Sequence, residues 1–274
     1  MTTYKTRVRP IWCAGCGNFG VLDALTRRAL SNLGIPNHRI LIVSGIGCAS
    51  RIPGYIDTYG INSIHGRAIP IAQGAKLARP DLTVIAIGGD GDFFSAGAGH
   101  LPHAVRRNVD ITCIMVNNFV YALTKGQISP TTPFLESGEK VLVGHHTNPP
   151  VDPVLDMIAF SVSTQASFIA QGIATDPLHL SWLIEEGIKH PGFSFISVLT
   201  PCITYTAELF AAIKSVASYL REGELVELPM SSEEKPWRHN PTDIGLALRL
   251  AQTPVLEKTH LGILFKGVSP DRAA

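Results

Sequence analysis

A chain of 274 residues can bury about 75% of the surface its unfolded form exposes, which excludes a scaffold that needs staples to fold. Hydrophobic residues make up 45% and charged residues only 16%, against about 25% charged in an average soluble domain, so some of the surface is expected to be covered by another subunit. The formal net charge of +1 offers no electrostatic case for a nucleic-acid or anionic-membrane partner.

The amino-terminal eleven residues are polar and basic, without the apolar stretch of a secretory signal. Residues 18–33 carry Phe19, Leu22, Leu25, Ala29 and Leu33 near helical spacing, which predicts a helix. Residues 39–44 (RILIVS) are a short apolar run stopped by Gly45, the mark of a buried strand. A helix is expected over 68–77 and a strand over 83–87 (TVIAI), halted by Gly88 and Gly89. Residues 95–107 read as a helix rich in small residues and 111–116 (ITCIMV) as a further strand. The stretch 118–152 holds Pro130, Pro133, Pro149 and Pro150, and loops this long are functional or disordered. Its His145-His146 pair resembles a metal site, but adjacent side chains diverge and a solvated loop is the reading here. Residues 157–175 are uncharged yet broken by Ser, Thr, Gln and Gly, a poor bilayer span. Strands are expected over 167–169 and 193–199, with a helix over 177–189 between them. Continuous apolar strands alternating with helices predict an α/β fold, a doubly wound, mostly parallel sheet covered on both faces. Beyond Tyr219 the charge density rises and strand signals fade. Residues 1–220 are therefore read as one domain and 221–274 as an extension packing on it or on a partner.

Ligands of open parallel sheets bind at the carboxyl ends of the strands. Gly88-Gly89-Asp90-Gly91-Asp92, Asn117-Asn118 and Gly45-Ile46-Gly47-Cys48 each follow a predicted strand directly. Each alone is an ordinary turn. Together, Asp90 and Asn118 lie 28 residues apart, one helix and one strand, which puts them on neighbouring strand ends. A carboxylate and an amide oxygen form a hard pair suited to Mg²⁺, which also takes phosphate oxygens. Glycines beside Asp90 would let the backbone approach a diphosphate closely. The Gly45-Ile46-Gly47 near-miss of a dinucleotide fingerprint has Ser50 in place of the third glycine and is weak.

The GDGD turn followed by the Asn pair resembles the thiamine diphosphate motif. The segments WCAGCGNFGVLDAL (12–25), SGIGCASRIPGY (44–55), HGRAIPIAQGAKLARPDLTVIAIGGDGD (65–92) and NNFVYALTKGQISPT (117–131) are similar to the β subunit of 2-oxoacid:ferredoxin oxidoreductases. The resemblance runs from about Trp12 to Cys202. It implies that Asp90, Asn118 and the Val120 carbonyl hold Mg²⁺, and that Ile46, Gly47, Cys48, Ala49, Gly91, Asp92, Ala122 and Leu123 contact thiamine diphosphate. His65 matches a cofactor-contacting histidine, with a helix cap as its plainer alternative. Arg51 stands where related chains often carry a lysine that meets the substrate carboxylate. A guanidinium can grip a carboxylate with two hydrogen bonds, although a lone surface arginine is the duller option. Lys125 in LTKGQ is placed near the same mouth.

Five cysteines in a chain without a secretion signal point to the cytoplasm. The resemblance implies that Cys13, Cys16, Cys48 and Cys202 bind one [4Fe–4S] cluster; from the residues alone, four thiolates suit zinc equally. Cys113, inside ITCIMV, reads as a small core residue. The implied activity is oxidative decarboxylation of a 2-oxoacid, 2-oxoglutarate before pyruvate or branched-chain acids, with coenzyme A taking the acyl group and ferredoxin the electrons. A non-redox thiamine enzyme with structural cysteines and a zinc-stabilised binding module are the alternatives. Thiamine chemistry also needs a glutamate at the aminopyrimidine ring. The first glutamate here is Glu136, beyond every cofactor motif, so an α subunit is expected to supply it, in an αβ or (αβ)2 complex.

Overall fold

A computed structural model describes residues 4–133, 153–226, 228 and 237–267. The expectations for Pro149, Pro150 and His145-His146 lie outside the described residues. Eight strands form one sheet: β1 (Ile40–Ser44), β2 (Tyr59–Asn62), β3 (Thr83–Gly89), β4 (Thr112–Asn117), β5 (Phe168–Ile173), β6 (Ser194–Leu199), β7 (Ala217–Tyr219) and β8 (Thr259–Lys266). Their order is β2-β1-β3-β4-β6-β5-β8-β7. All neighbours are parallel except β8, which runs antiparallel to β5. The predicted doubly wound, mostly parallel sheet is thus what the chain forms.

The strand runs are continuously apolar because both faces are covered. On one face Ile40, Ile42, Ile85, Ile87, Ile114 and Ile196 meet Val21, Leu25 and Leu30 of the helix at 18–33, and Leu180, Leu183 and Ile184 of the helix Pro177–Lys189. On the other, Leu41, Val43, Val84, Ala86, Met115 and Phe195 meet Ile69 and Ala72 of the helix Ala68–Ala78 and Leu246 and Leu250 of the helix Ile244–Ala251. The alternation within β1 and β3 is the period of two that a pleated strand imposes.

Three expectations need correction. The helix expected over 95–107 begins at the GDGD turn itself, as a π-helical stretch Asp92–Ala96, a 3-10 turn Ala98–His100 and then Leu101–Arg106. Gly97 and Gly99 weaken regular helix there. The strand expected over 167–169 extends to Ile173. Its Gln171 and Gly172 look unlike strand residues, but the Gln171 amide donates to the His260 carbonyl at 3.0 Å. Residues 221–274 contribute Ile244–Ala251 to a core face and β8 to the sheet, so strands do not end at Tyr219. A positive φ of 145° at Gly262 and a register shift between Ile263 and Phe265 interrupt the β8 pattern and hide it in the sequence.

His260 is buried, neither ring nitrogen has a hydrogen-bond partner, and burial pushes its pKa down to about 4. Above about pH 6.5 the imidazole is neutral folded or unfolded. As pH falls from there toward 4, the unfolded chain takes up a proton the folded one refuses, and stability drops. We expect His260→Gln to remove on the order of 2 kcal/mol of this acid sensitivity. Urea denaturation at pH 7.5 and 4.5 measures it, and an unchanged pH slope would refute it.

Candidate active site

The turns after β1, β3 and β4 meet at one edge of the sheet because parallel strands all present their carboxyl ends there. Between them lies a cleft of about 570 Å³, mouth included. Its wall carries Ile46, Gly47, Cys48, Ala49, His65, Gly91, Asp92, Ala122 and Leu123, together with Asp90, Asn118 and Val120. Arg51 and Lys125 are exposed and are not part of that wall. Sequence reasoning missed Asn18, Tyr121 and Thr124, which line it as well; Asn18 opens a helix with nothing to distinguish it from a cap.

Asp92 fastens its own turn to the turn after β1 and to the segment after β2. Its Oδ1 accepts the Gly66 N–H at 2.7 Å and the Ile46 N–H at 3.2 Å, and lies 3.0 Å from His65 Nδ1. A Cβ at Gly45 would collide with this carboxylate, so the turn after β1 must be glycine. His65 therefore orients on Asp92 and the cleft. It caps no helix: Arg67 precedes Ala68–Ala78 and no side chain caps that end. Gly91 is needed for a second close approach, since a Cβ there would strike the Tyr121 ring.

Asp90 is buried, and its Oδ2 accepts the Thr131 hydroxyl at 2.8 Å. Burial pushes the carboxyl up, with hydrogen bonding from Ser129 and Thr131 opposing. The Thr131 hydroxyl oxygen also lies 3.1 Å from Asn117 Oδ1, so its one proton is shared between the two strand ends. Phe119 has φ +61°, a left-handed conformation uncommon for an aromatic residue. It folds the chain so that the Val120 N–H reaches Asn118 Oδ1 at 3.2 Å and Val120 returns to the cleft. Within the described cleft, Asp92 Oδ2 and Asn18 Oδ1 are buried without hydrogen-bond partners. Such orphaned atoms fit a wall that completes its bonding with a ligand. Two carboxylates, an amide and close-approach glycines suit Mg²⁺ and a diphosphate.

The four expected thiols gather beside this cleft. The Cys16 N–H donates to the Cys13 carbonyl at 3.0 Å, closing the knuckle, and the Gly17 N–H donates to the Pro201 carbonyl at 3.3 Å, next to Cys202. Trp12 Nε1 donates to the Cys48 carbonyl at 2.8 Å. Burial pushes the Cys16 thiol up to about 11, and Cys48, Cys202 and Cys13 add to the rise. Burial and the Cys202 and Cys13 thiols push Cys48 up too, with Arg51 opposing. Thiols this mutually unfavourable as anions fit a cationic centre between them. No three His, Cys, Asp or Glu side chains among the described residues close on a single ion. Thiolates about 2.3 Å from one zinc would have to crowd tightly together, whereas a cluster gives each thiolate its own iron. Cys113 is fully buried in the core, as expected.

This fold and cleft define a thiamine diphosphate-binding enzyme domain, and residues 45–198 match the family described as "Thiamine pyrophosphate enzyme, C-terminal TPP binding domain". The chain is 47% identical over 196 residues to a 2-oxoacid:ferredoxin oxidoreductase subunit beta of Sulfolobus sp, covering 71% of this chain and 62% of that one. It is 38% identical over 201 residues to a 2-oxoglutarate synthase subunit KorB of Methanocaldococcus jannaschii, covering 73% and 72%. The solved 2-oxoglutarate:ferredoxin oxidoreductase from Magnetococcus marinus, with 2-oxoglutarate, coenzyme A and succinyl-CoA bound, superposes at TM-score 0.85 and 33% identity over 97% of this chain and 84% of that one. The chain belongs to the β-subunit family of 2-oxoacid:ferredoxin oxidoreductases. The match spans about three-fifths of the Sulfolobus relative's length.

Thr131→Val keeps the shape but removes the hydroxyl shared by Asp90 and Asn117. A buried acceptor left unpaired should cost about 1–3 kcal/mol, read as a lower urea midpoint in cofactor-free protein. An unchanged midpoint would show that the hydroxyl does not hold the two strand ends.

Proposed function

We propose that this chain is the β subunit of an enzyme that oxidatively decarboxylates a 2-oxoacid, 2-oxoglutarate foremost, yielding acyl-coenzyme A and reduced ferredoxin. The observation that carries the reading is the double role of the Gly45–Cys48 turn: it lines the cleft, and its Cys48 belongs to the thiol group. A redox exit thus lies against the cofactor's own wall, which a non-redox thiamine enzyme has no use for. When bound, thiamine diphosphate supplies the carbon nucleophile that opens the 2-oxoacid to loss of CO₂, and a [4Fe–4S] cluster supplies a one-electron exit. Asp90, Asn118 and the Val120 carbonyl would hold Mg²⁺ and through it the diphosphate. The glycines at 47 and 91 let backbone reach the cofactor, and His65, fixed on Asp92, orients toward it. Arg51 and Lys125, free of the wall, stand where they can meet the substrate's carboxylates once the cleft is closed by a partner.

The cleft wall contains no glutamate. Of the glutamates described, Glu185 accepts from Asn32 at 2.7 Å and Glu186 pairs with Lys266 at 2.9 Å, both on the helix Pro177–Lys189. Glu208 stands in the first turn of the helix Ala207–Ser215. Glu136 and Glu139 lie outside the described residues. The aminopyrimidine acid is assigned to an α subunit, which makes an αβ or (αβ)2 assembly the working unit. KorB relatives and the 2-oxoglutarate-bound neighbour support the substrate choice.

The test is a panel of 2-oxoacids assayed by viologen reduction with the anaerobically purified complex, beside this chain alone reconstituted with iron, sulfide, Mg²⁺ and thiamine diphosphate. The complex should turn over 2-oxoglutarate fastest and the lone chain should be inactive. Robust turnover by the lone chain would place the missing acid in this sequence.

Cys202→Ser should lower iron content and abolish acceptor reduction while thiamine diphosphate still binds, as followed by iron analysis and calorimetry. Full iron occupancy with wild-type activity would sink the four-thiolate assignment.

A further inference from the structure

The charge of this chain is unevenly placed. Residues 1–56 contain seven Lys and Arg and a single acid, Asp23, although the whole chain sums to +1. Asp23 is taken by Arg27 and Arg28, and Arg39 pairs with Asp81. Lys5, Arg7, Arg9 and Arg51 are left, all exposed and with no ion pair among the described residues. Three of them sit on one strap, residues 5–13, that ends at the exposed Cys13.

The strap is held rather than loose. Lys5 bridges to Ile56, and the Thr6 N–H donates to the Tyr55 carbonyl at 3.1 Å. At its far end the Ile11 N–H donates to the Tyr55 hydroxyl at 3.2 Å, and Trp12 is fixed on the Cys48 carbonyl. Between these anchors Val8 and Ile11 stand 56% and 68% exposed among the cations. Unpaired cations interleaved with exposed aliphatic side chains form a contact face, and its electrostatics select an anionic protein.

We propose that this strap is the docking surface for the electron acceptor, a small, strongly acidic one-electron carrier protein of the ferredoxin kind. The proposal rests on the function proposed above. Lys5, Arg7 and Arg9 steer the carrier, Val8 and Ile11 give it apolar contact, and Cys13 is the thiolate nearest its redox centre. Each docked carrier is reduced by one electron drawn from the cluster, which is oxidised by one. No bond is made or broken, and two carriers in succession take the pair released from one 2-oxoacid.

The experiment compares the complete complex with its Lys5→Glu/Arg7→Glu/Arg9→Glu variant, using an acidic bacterial-type ferredoxin and, separately, methyl viologen. Calorimetric titration with oxidised ferredoxin should show Kd raised about 10-fold or more at low ionic strength, the difference closing in high salt. Ferredoxin reduction should weaken in step while viologen reduction stays at the wild-type rate. Arg107→Glu, in the link between the helix Leu101–Arg106 and β4, should change neither. Equal ferredoxin affinity in the triple variant would overturn the proposal. So would release of the partner subunit, which would make the strap a subunit interface. A wild-type complex that reduces viologen from no 2-oxoacid would instead defeat the functional reading, while the binding titration would still decide the docking face.

Discussion

The buried carboxylate of Asp92 is the interaction on which the cleft depends. It accepts from the turn after β1 through Ile46 and from the segment before the Ala68–Ala78 helix through Gly66, and it orients His65. Burial pushes this carboxyl up, the Gly66 and Ile46 N–H groups on Oδ1 oppose the rise, and Oδ2 is left without a partner in the wall. Three loops must therefore converge or the charge is stranded. The glycine at 45 follows from the same requirement, because any side chain there would occupy the space the carboxylate fills. The convergence of these loops is thus a consequence of electrostatics at a buried carboxylate.

A second fastening joins the cleft to the thiols. The Thr206 hydroxyl accepts the Cys202 N–H at 3.3 Å and donates to the Asn118 carbonyl at 3.1 Å. Cys48 is continuous with the Gly45–Ala49 turn, and Trp12 pins its carbonyl while packing edge-on against Phe19 and Tyr55. The proposed cluster and the proposed Mg²⁺ site therefore share one hydrogen-bonded frame. Single-electron transfer falls steeply with distance, so a fixed separation serves the chemistry better than a hinge would.

Much of this arrangement was legible in the sequence because it rests on local rules. Apolar runs halted by glycine marked β1 and β3, and the GDGD turn and Asn pair followed from the ends of parallel strands. What stayed hidden depends on distant partners. Thr131 lies 41 residues from Asp90, within a Pro-rich stretch that reads only as loop. β8 was obscured by Gly262 and a bulge, and β5 was cut short on paper by a glutamine whose partner is a carbonyl 89 residues away. The left-handed Phe119 carries no signal at all in the sequence, since aromatic residues seldom adopt it. Propensity describes a residue and its neighbours in the chain; these positions are decided by neighbours in space.

The surface around the cleft completes the logic. Phe19, Ile46, Ile64 and Leu123 are large, exposed and apolar near its mouth, while the wall lacks the glutamate that thiamine chemistry uses. An apolar rim around an unfinished polar site is what a chain presents when a second surface both buries the rim and brings the missing acid. The low charged fraction has the same origin, because surface destined for an interface core is depleted of Lys, Glu and Asp. The unpaired cations at Lys5, Arg7 and Arg9 depart from that trend. Burying them against an obligate partner would cost their hydration without a carboxylate in return, whereas a carrier that docks and leaves keeps them wet between visits. On the proposed function, the chain separates an apolar face at the cofactor cleft from a charged face at Cys13, one for chemistry and one for the departure of electrons.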